Sequence, residues 1–178
     1  GTLGVLFAER AGVLNLGVEG MMIFAAMAGF SAAYFSGSLL LGTVVAVCAG
    51  AVLGLLLALM TVTLGVSQHV SGLGVTMLGS GLAYYIYRLV FGTPSQMPTV
   101  EPMQPFAIPW LSDLPLVGQV LFNQHLITYL AIVLVAVAAF VLKSTPWGLS
   151  LRTVGENPQA ADSAGVNVTA VRYQALAI

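Results

Sequence analysis

An all-α, polytopic transmembrane helical bundle is the fold class this chain predicts, and three observations predict it. Of its 178 residues, 58% are hydrophobic and only 6% are charged, against about a quarter charged in soluble domains. Asp, Glu, Lys and Arg are absent from residues 20–87 and again from residues 114–142, and both runs exceed the roughly 20 apolar residues that one crossing needs. The runs are continuous rather than broken into short alternating strands, which favours helices over a porin-like barrel. About four to five spans fit in residues 1–178, read as a single transmembrane domain.

The elements follow in order. Residues 1–8 are apolar but too short to cross, and read as the end of a helix that begins earlier. Glu9 and Arg10 follow, then Asn15 and Glu19 among apolar neighbours. Such groups are costly in lipid and should face protein, water or each other. Gly12, Gly17 and Gly20 permit close backbone approach or a helix break. The first full span is expected over about residues 17–35, with Ala25, Gly29 and Ala33 as a stripe of small residues at four-residue spacing. Ser36, Gly37 and Ser38 make a tight turn. The second span, about residues 39–64, repeats that spacing at Ala46, Gly50, Gly54 and Ala58, a helix-packing face in its ordinary reading.

The third span, about residues 70–91, differs. Ser71, Gly72, Gly74, Thr76, Gly79, Ser80 and Gly81 crowd into it, which suggests either a distorted helix lining a cavity or a tightly packed interior helix. Tyr84, Tyr85, Tyr87 and Arg88 near its end suit a membrane interface. Residues 92–124 form a connection of 33 residues that holds six of the eight prolines, with Glu101 and Asp113 but no Lys or Arg. A fourth span is expected over about residues 125–142, and another begins near Val171. The chain opens on Gly1 rather than Met and stops at Ile178 within those first turns, so it reads as part of a longer protein, incomplete at both ends.

Residues 143–170 form a polar island between spans. Asn157 is a good N-cap, Pro158 suits a first helical turn, and Gly165 permits a left-handed C-terminal turn, so a short helix is expected over residues 158–164. It reads either as a solvated loop or as a surface that transmits a push from a soluble partner. Basic residues flank the inner ends of spans. Lys143, Arg152 and Arg172 therefore place this loop in the cytoplasm and the Pro-rich connection outside. Arg10 agrees with that orientation and Arg88 does not.

Several functions are excluded. The chain lacks a G-x-x-x-x-G-K-[ST] run to hold ATP phosphates and a basic cluster for nucleic acid. His69 and His125 have no second ligand three or four residues away, so no metal site or other cofactor is expected. Ser80 with His125 is the one candidate serine–histidine pair. Leu78 stands where a nucleophile motif would have glycine, and His125 falls at a membrane surface, so enzymatic activity is not expected. The single Cys48 reads as core packing.

Three runs carry a family resemblance: GVLNLGVEGMM (12–22), SGLGVTMLGSGL (71–82) and GLSLRTVGENPQAADSAGVNV (148–168). In that order, and over nearly the whole chain, they resemble the permease subunits of bacterial ABC importers for ribose-type sugars and nucleosides, a broad group that includes the branched-chain amino-acid permeases. The third run is the most specific. Glu19 looks like the nucleoside or simple-sugar branch, whereas Thr76 stands where many relatives carry Asn.

The resemblance implies a multi-pass protein of the bacterial plasma (inner) membrane, without cofactor or enzymatic activity of its own. It would work with a second permease subunit, two cytoplasmic ATP-binding subunits and an extracytoplasmic substrate-binding protein. Asn15 and Glu19, with Thr76 and Ser80 opposite, are expected to line the substrate pathway; the alternative for Glu19 is a structural pair with Arg10. Gly155, Glu156, Asn157, Pro158, Ala160, Ala161, Asp162 and Gly165 are expected to couple to the ATPase. Rival readings are a permease for branched-chain amino acids or another small solute, an ATP-independent secondary transporter or channel, and a structural membrane subunit.

Overall fold

The computed structural model describes residues 1–92, 98–101, 105–107 and 123–178. Its helices are α1 (Thr2–Arg10), α2 (Val18–Ser36), α3 (Leu39–Ala58), α4 (Gln68–Phe91), α5 (Leu126–Ser144), α6 (Pro146–Glu156), α7 (Pro158–Ser163) and α8 (Val168–Ala177). A π-helical turn, Leu59–Thr63, prolongs α3. Two three-residue strands, β1 (Pro105–Ala107) and β2 (Asn123–His125), pair antiparallel with Pro105 opposite His125. They hold together the two sides of the Pro-rich connection, the rest of which lies largely outside the described residues.

Among the described residues, three helical segments are long and apolar enough to cross a membrane: Val18–Ser36, Leu39–Thr63 and Leu126–Ser144. Helix α4 has the length, 24 residues, but its glycine, serine and tyrosine content lowers its hydropathy. These segments begin and end within two or three residues of the expected spans, because the sequence marks their ends chemically. Gly37 (φ 66°) closes α2 in the left-handed region, and the Ser38 hydroxyl caps α3 by accepting from the Leu41 N–H. Such turns need a residue without a Cβ penalty and a side-chain acceptor for an orphan donor.

The small-residue stripes meet as their spacing implies. A Cβ on Gly29 would lie 2.8 Å from the Gly42 carbonyl oxygen, and one on Gly42 would lie 2.7 Å from that of Gly29. Ala25 faces Gly50, also across the antiparallel α2–α3 pair. Farther down α3 the stripe changes partner, since a Cβ on Gly54 would sit 2.1 Å from the Leu176 carbonyl oxygen of α8. Close backbone approach of this kind is how helices associate where water gives no hydrophobic drive.

Helices α2 and α4 run parallel. Helix α4 is a continuous α-helix, packed on α2 along one face and exposed along much of the other. Gly72 abuts Leu16, while Gly20 and Gly79 bring the two backbones together: a Cβ on Gly20 would lie 2.4 Å from the Thr76 Cα, and one on Gly79 would lie 2.5 Å from the Gly20 carbonyl oxygen. The distortion is instead in α3, at its terminal π turn. Cys48 also departs from expectation. It is exposed on the outer surface of α3, because the stripe of smaller residues takes the packed face.

Two buried clusters knit the ends of the chain together. One joins Phe7 and Ala11 with Ala138 of α5, Leu151 and Val154 of α6, Ala161 of α7, and Val171 and Ala175 of α8. The other joins Ala8, Val13, Met21, Leu53, Leu57, Val75 and Leu176. Helices α1 and α8 contribute to both and bridge them. At the far end of the bundle Phe35 of α2 stacks on Phe91 of α4, Tyr34 meets that ring edge-on and Phe30 packs on it at a tilt, and Arg88 lies over the Tyr84 ring.

Candidate transport and coupling site

The loop between α1 and α2 is pinned from several sides. Gly12 turns the chain with φ of 76°, a conformation that favours glycine. The Leu14 N–H donates to Gln68 Oε1 at 2.8 Å, and Thr76 Oγ1 donates to the Leu16 carbonyl at 3.0 Å. Both partners stand on α4, two turns apart. Asn15 bends the loop into α2 by accepting from the Gly17 N–H at 3.1 Å, an Asx turn of the kind asparagine favours. Its amide oxygen is thus engaged locally, and the residue is half-buried.

Asn15 supplies the one polar side chain of a cavity of about 340 Å³ between α1, α2, α3 and α8, lined otherwise by residues such as Gly4, Val18, Met21, Met22, Ala46, Gly50 and Leu176, and by Gly1 and Ile178. Of the four residues expected on the pathway, the structure brings Thr76 to the Asn15 loop through its bond to Leu16. Glu19 is exposed in the first turn of α2, and Ser80 is half-buried on α4, one residue past the Gly79–Gly20 contact. Of the four, Asn15 lines the cavity, and Thr76, Glu19 and Ser80 do not.

The polar island folds into more structure than the sequence reading anticipated. Thr145 caps α6 by accepting from the Gly148 N–H, and Pro146 occupies its first turn. Asn157 does the same for α7, accepting from the Ala160 N–H at 3.0 Å, and Gly165 (φ 85°) ends that turn. The residues expected to couple differ in burial. Ala161 is buried as an anchor. Glu156, Asn157, Ala160, Asp162 and Gly165 are exposed, and Gly155 and Pro158 are half-buried. Beside α7, Asp162, Gly165, Asn167 and Thr169 help to line a cleft of about 340 Å³.

Comparison with known proteins gives this arrangement its family. The sequence profile described as branched-chain amino acid transport system / permease component matches residues 1–178. The chain belongs to this permease family. It is 37% identical to the guanosine ABC transporter permease protein NupQ of Bacillus subtilis, over 96% of the chain and 56% of that relative. It is 39% identical to the putative glucose ABC transporter permease protein TsgC13 of Haloferax volcanii, over 99% of the chain and 53% of that relative. The nucleoside ABC transporter permease protein NupC of Lactococcus lactis is 36% identical, over 97% and 56%. The chain spans about half the length of these curated relatives. No solved structure matches it.

The permease is a multi-pass membrane protein, and its family is one of transport rather than of enzymes. Helix α6, which the sequence reading passed over, ties the island to the bundle. A Cβ on Gly155 would lie 2.2 Å from the Arg10 carbonyl oxygen and 3.3 Å from the Gly12 nitrogen. Arg10, the partner that the sequence allowed for Glu19, lines a cleft of about 180 Å³ with Glu9, Arg152, Gly155 and Glu156. Trp147 packs on Phe7 and donates from Nε1 to Gln174 Oε1 at 2.7 Å. A readable signal for α6 existed: Thr145-Pro146 repeats the cap-plus-proline pattern of Asn157-Pro158, with Trp147, Leu151 and Val154 on one helical face.

Proposed function

We propose that this chain is part of the membrane-spanning permease of an ATP-driven importer in the bacterial inner membrane, carrying a nucleoside or simple sugar. Its partners in this reading are cytoplasmic ATP-binding subunits, a second permease subunit and an extracytoplasmic substrate-binding protein, with the protein itself carrying out no catalysis. The observation that carries the reading is the direct packing of the α6–α7 segment on the loop that bears Asn15. An exposed, capped helix stands at one end of a continuous line of contacts, and the polar lining of a cavity stands at the other.

The mechanism follows from that line. Closure of the ATP-binding subunits displaces α7, whose buried Ala161 moves with the α6 core. Gly155 bears on Arg10 and Gly12, so the displacement reaches the turn before Asn15. The loop is bonded to α4 at Leu14 and Leu16 and therefore carries α4 with it, and the bundle rocks between inward-open and outward-open forms. Neutral amide and hydroxyl groups at Asn15, Thr76 and Ser80, on α4 and the loop that it holds, suit a polyhydroxylated, uncharged solute. The nucleoside and glucose names of the relatives support the same substrate class.

Arg10, Lys143, Arg152 and Arg172 are four of the five Lys and Arg residues, and they cluster where α1 and α5 end and α8 begins. Positive charge near span ends favours the cytoplasm. Residues 143–170 are then the cytoplasmic coupling loop, and residues 92–124 are outside. An ATP-independent transporter is the less favoured reading, since α3 and α5 carry no ionisable residue within the membrane for ion coupling.

The test uses the full-length permease. It should co-purify with its ATPase and take up labelled nucleoside or sugar only with ATP, and replacing Pro158, Ala160 and Ala161 together with glycine should release the ATPase. Uptake that persists without ATP, or an ATPase that stays bound to that variant, would overturn the proposal.

A further inference from the structure

Three consecutive residues in the middle of α8 reach three different elements. Arg172 Nε donates to the Ala11 carbonyl at 3.3 Å, in the turn after α1. The Tyr173 hydroxyl is hydrogen-bonded to Thr63 Oγ1 at the end of the π turn. Gln174 Oε1 accepts from Trp147 Nε1 of α6 at 2.7 Å. Successive helical residues point about 100° apart, so one turn of α8 acts as a three-way strut. Asn167 fixes the start of that helix by accepting from the Ala170 N–H.

The three links differ in what they hold. The Gln174 and Tyr173 bonds join side chain to side chain. Arg172 instead grips the backbone of the loop itself, one residue before the φ-positive Gly12, and its guanidinium also lies beside Gly12. It is half-buried, and a guanidinium holds its donors in a rigid fork that a longer-tethered point charge does not. Apolar packing also joins α8 to this turn, Ala11 with Val171 and Ala175 and Val13 with Leu176, and Arg172 adds to it a directional bond to the loop backbone.

We propose that Arg172 is a positioning residue of the transport cycle: its bond to the Ala11 carbonyl makes the Asn15 loop follow α8 and α6 in both directions. This rests on the proposed function above and adds to it a specific residue outside both the pathway and the coupling helix. Arg172 touches no solute. It acts through the loop, so its loss uncouples transport from hydrolysis rather than abolishing either fold or ATPase activity.

The experiment uses the full-length permease with its ATPase and binding protein in lipid vesicles, comparing Arg172→Ala and Arg172→Lys with the parent. Uptake and ATP hydrolysis are measured together. Arg172→Ala should keep hydrolysis near the parental rate while uptake per ATP falls about tenfold, within the range that single residues carry in coupled networks, and Arg172→Lys should recover part of it. A Leu14→Cys label in a Cys48→Ala background should react with a maleimide at a rate that changes with ATP in the parent and not with Arg172→Ala. If Arg172→Ala does not assemble, Arg172→Gln takes its place in the labelling arm with the same outcomes deciding. Parallel losses of uptake and hydrolysis, unchanged uptake, or labelling that still responds to ATP would overturn the inference. A parent complex that fails to couple ATP to uptake would instead sink the transport reading itself.

Discussion

Gly20 and Gly74 are both glycines in the α2–α4 region, yet their surroundings predict opposite responses to alanine. Gly20 has no room, with Thr76 Cα 2.4 Å from the added Cβ, whereas nothing lies within 4 Å of a Cβ on Gly74. Gly20→Ala should therefore lower stability by about 1–3 kcal/mol through forced separation of the helices, and Gly74→Ala should be neutral or better. Thermal melting in detergent separates the two, and equal effects would contradict the packing described. Ser71 offers a second contrast. Its hydroxyl is buried with no hydrogen-bond partner among the described residues, a cost of about 1–3 kcal/mol. Ser71→Ala should leave melting unchanged or raise it, and a clear loss would mean that the hydroxyl is satisfied. At the pathway, Asn15→Ala should raise the KM of uptake more than it lowers Vmax, since it removes an amide from the cavity. Glu19→Gln tests the remaining carboxylate: full uptake with full stability would remove it from the pathway.

Among the elements, α7 was legible and α6 was not, for related reasons. Asn157, Pro158 and Gly165 mark α7 at both ends with residues whose chemistry is local. Asn157→Ala should cost about 1 kcal/mol of local helix stability and weaken ATPase retention, with Asn157→Asp restoring it; co-purification reads both. Helix α6 has the same opening signal at Thr145-Pro146. It was obscured because its apolar face is short and because Gly148 and Gly155, poor helix formers, sit where the backbone must approach Val141 and Arg10. The spans were readable because lipid demands long apolar runs, and the α2–α3 contact was readable because small residues repeat every four. The π turn of α3 and the Arg172, Tyr173 and Gln174 contacts were not readable. They depend on which distant elements meet, and nothing in local spacing encodes that. Asn15 stood out because a polar group in an apolar run is costly, whereas its hold on Gly17 and the bond from Thr76 to Leu16 depend on the fold and were not readable.

At the scale of the molecule, charge and contact share one axis. Four of the five basic residues, the capped helices α6 and α7 and the α6–loop contact gather at one end, and Arg88 with the packed aromatic rings of α2 and α4 marks the other. Between the ends, α3 and α5 present mostly apolar side chains to their surroundings, as lipid or further protein requires. The coupling account depends on α7 standing at the cytoplasmic surface. The most direct measurement is single-cysteine labelling of Asp162→Cys in the full-length permease, once native cysteines including Cys48 are replaced. A membrane-impermeant maleimide should label it in inverted vesicles, with protection when the ATPase is bound, and should leave it unlabelled in intact cells. Labelling from outside intact cells, or no protection by the ATPase, would contradict the account.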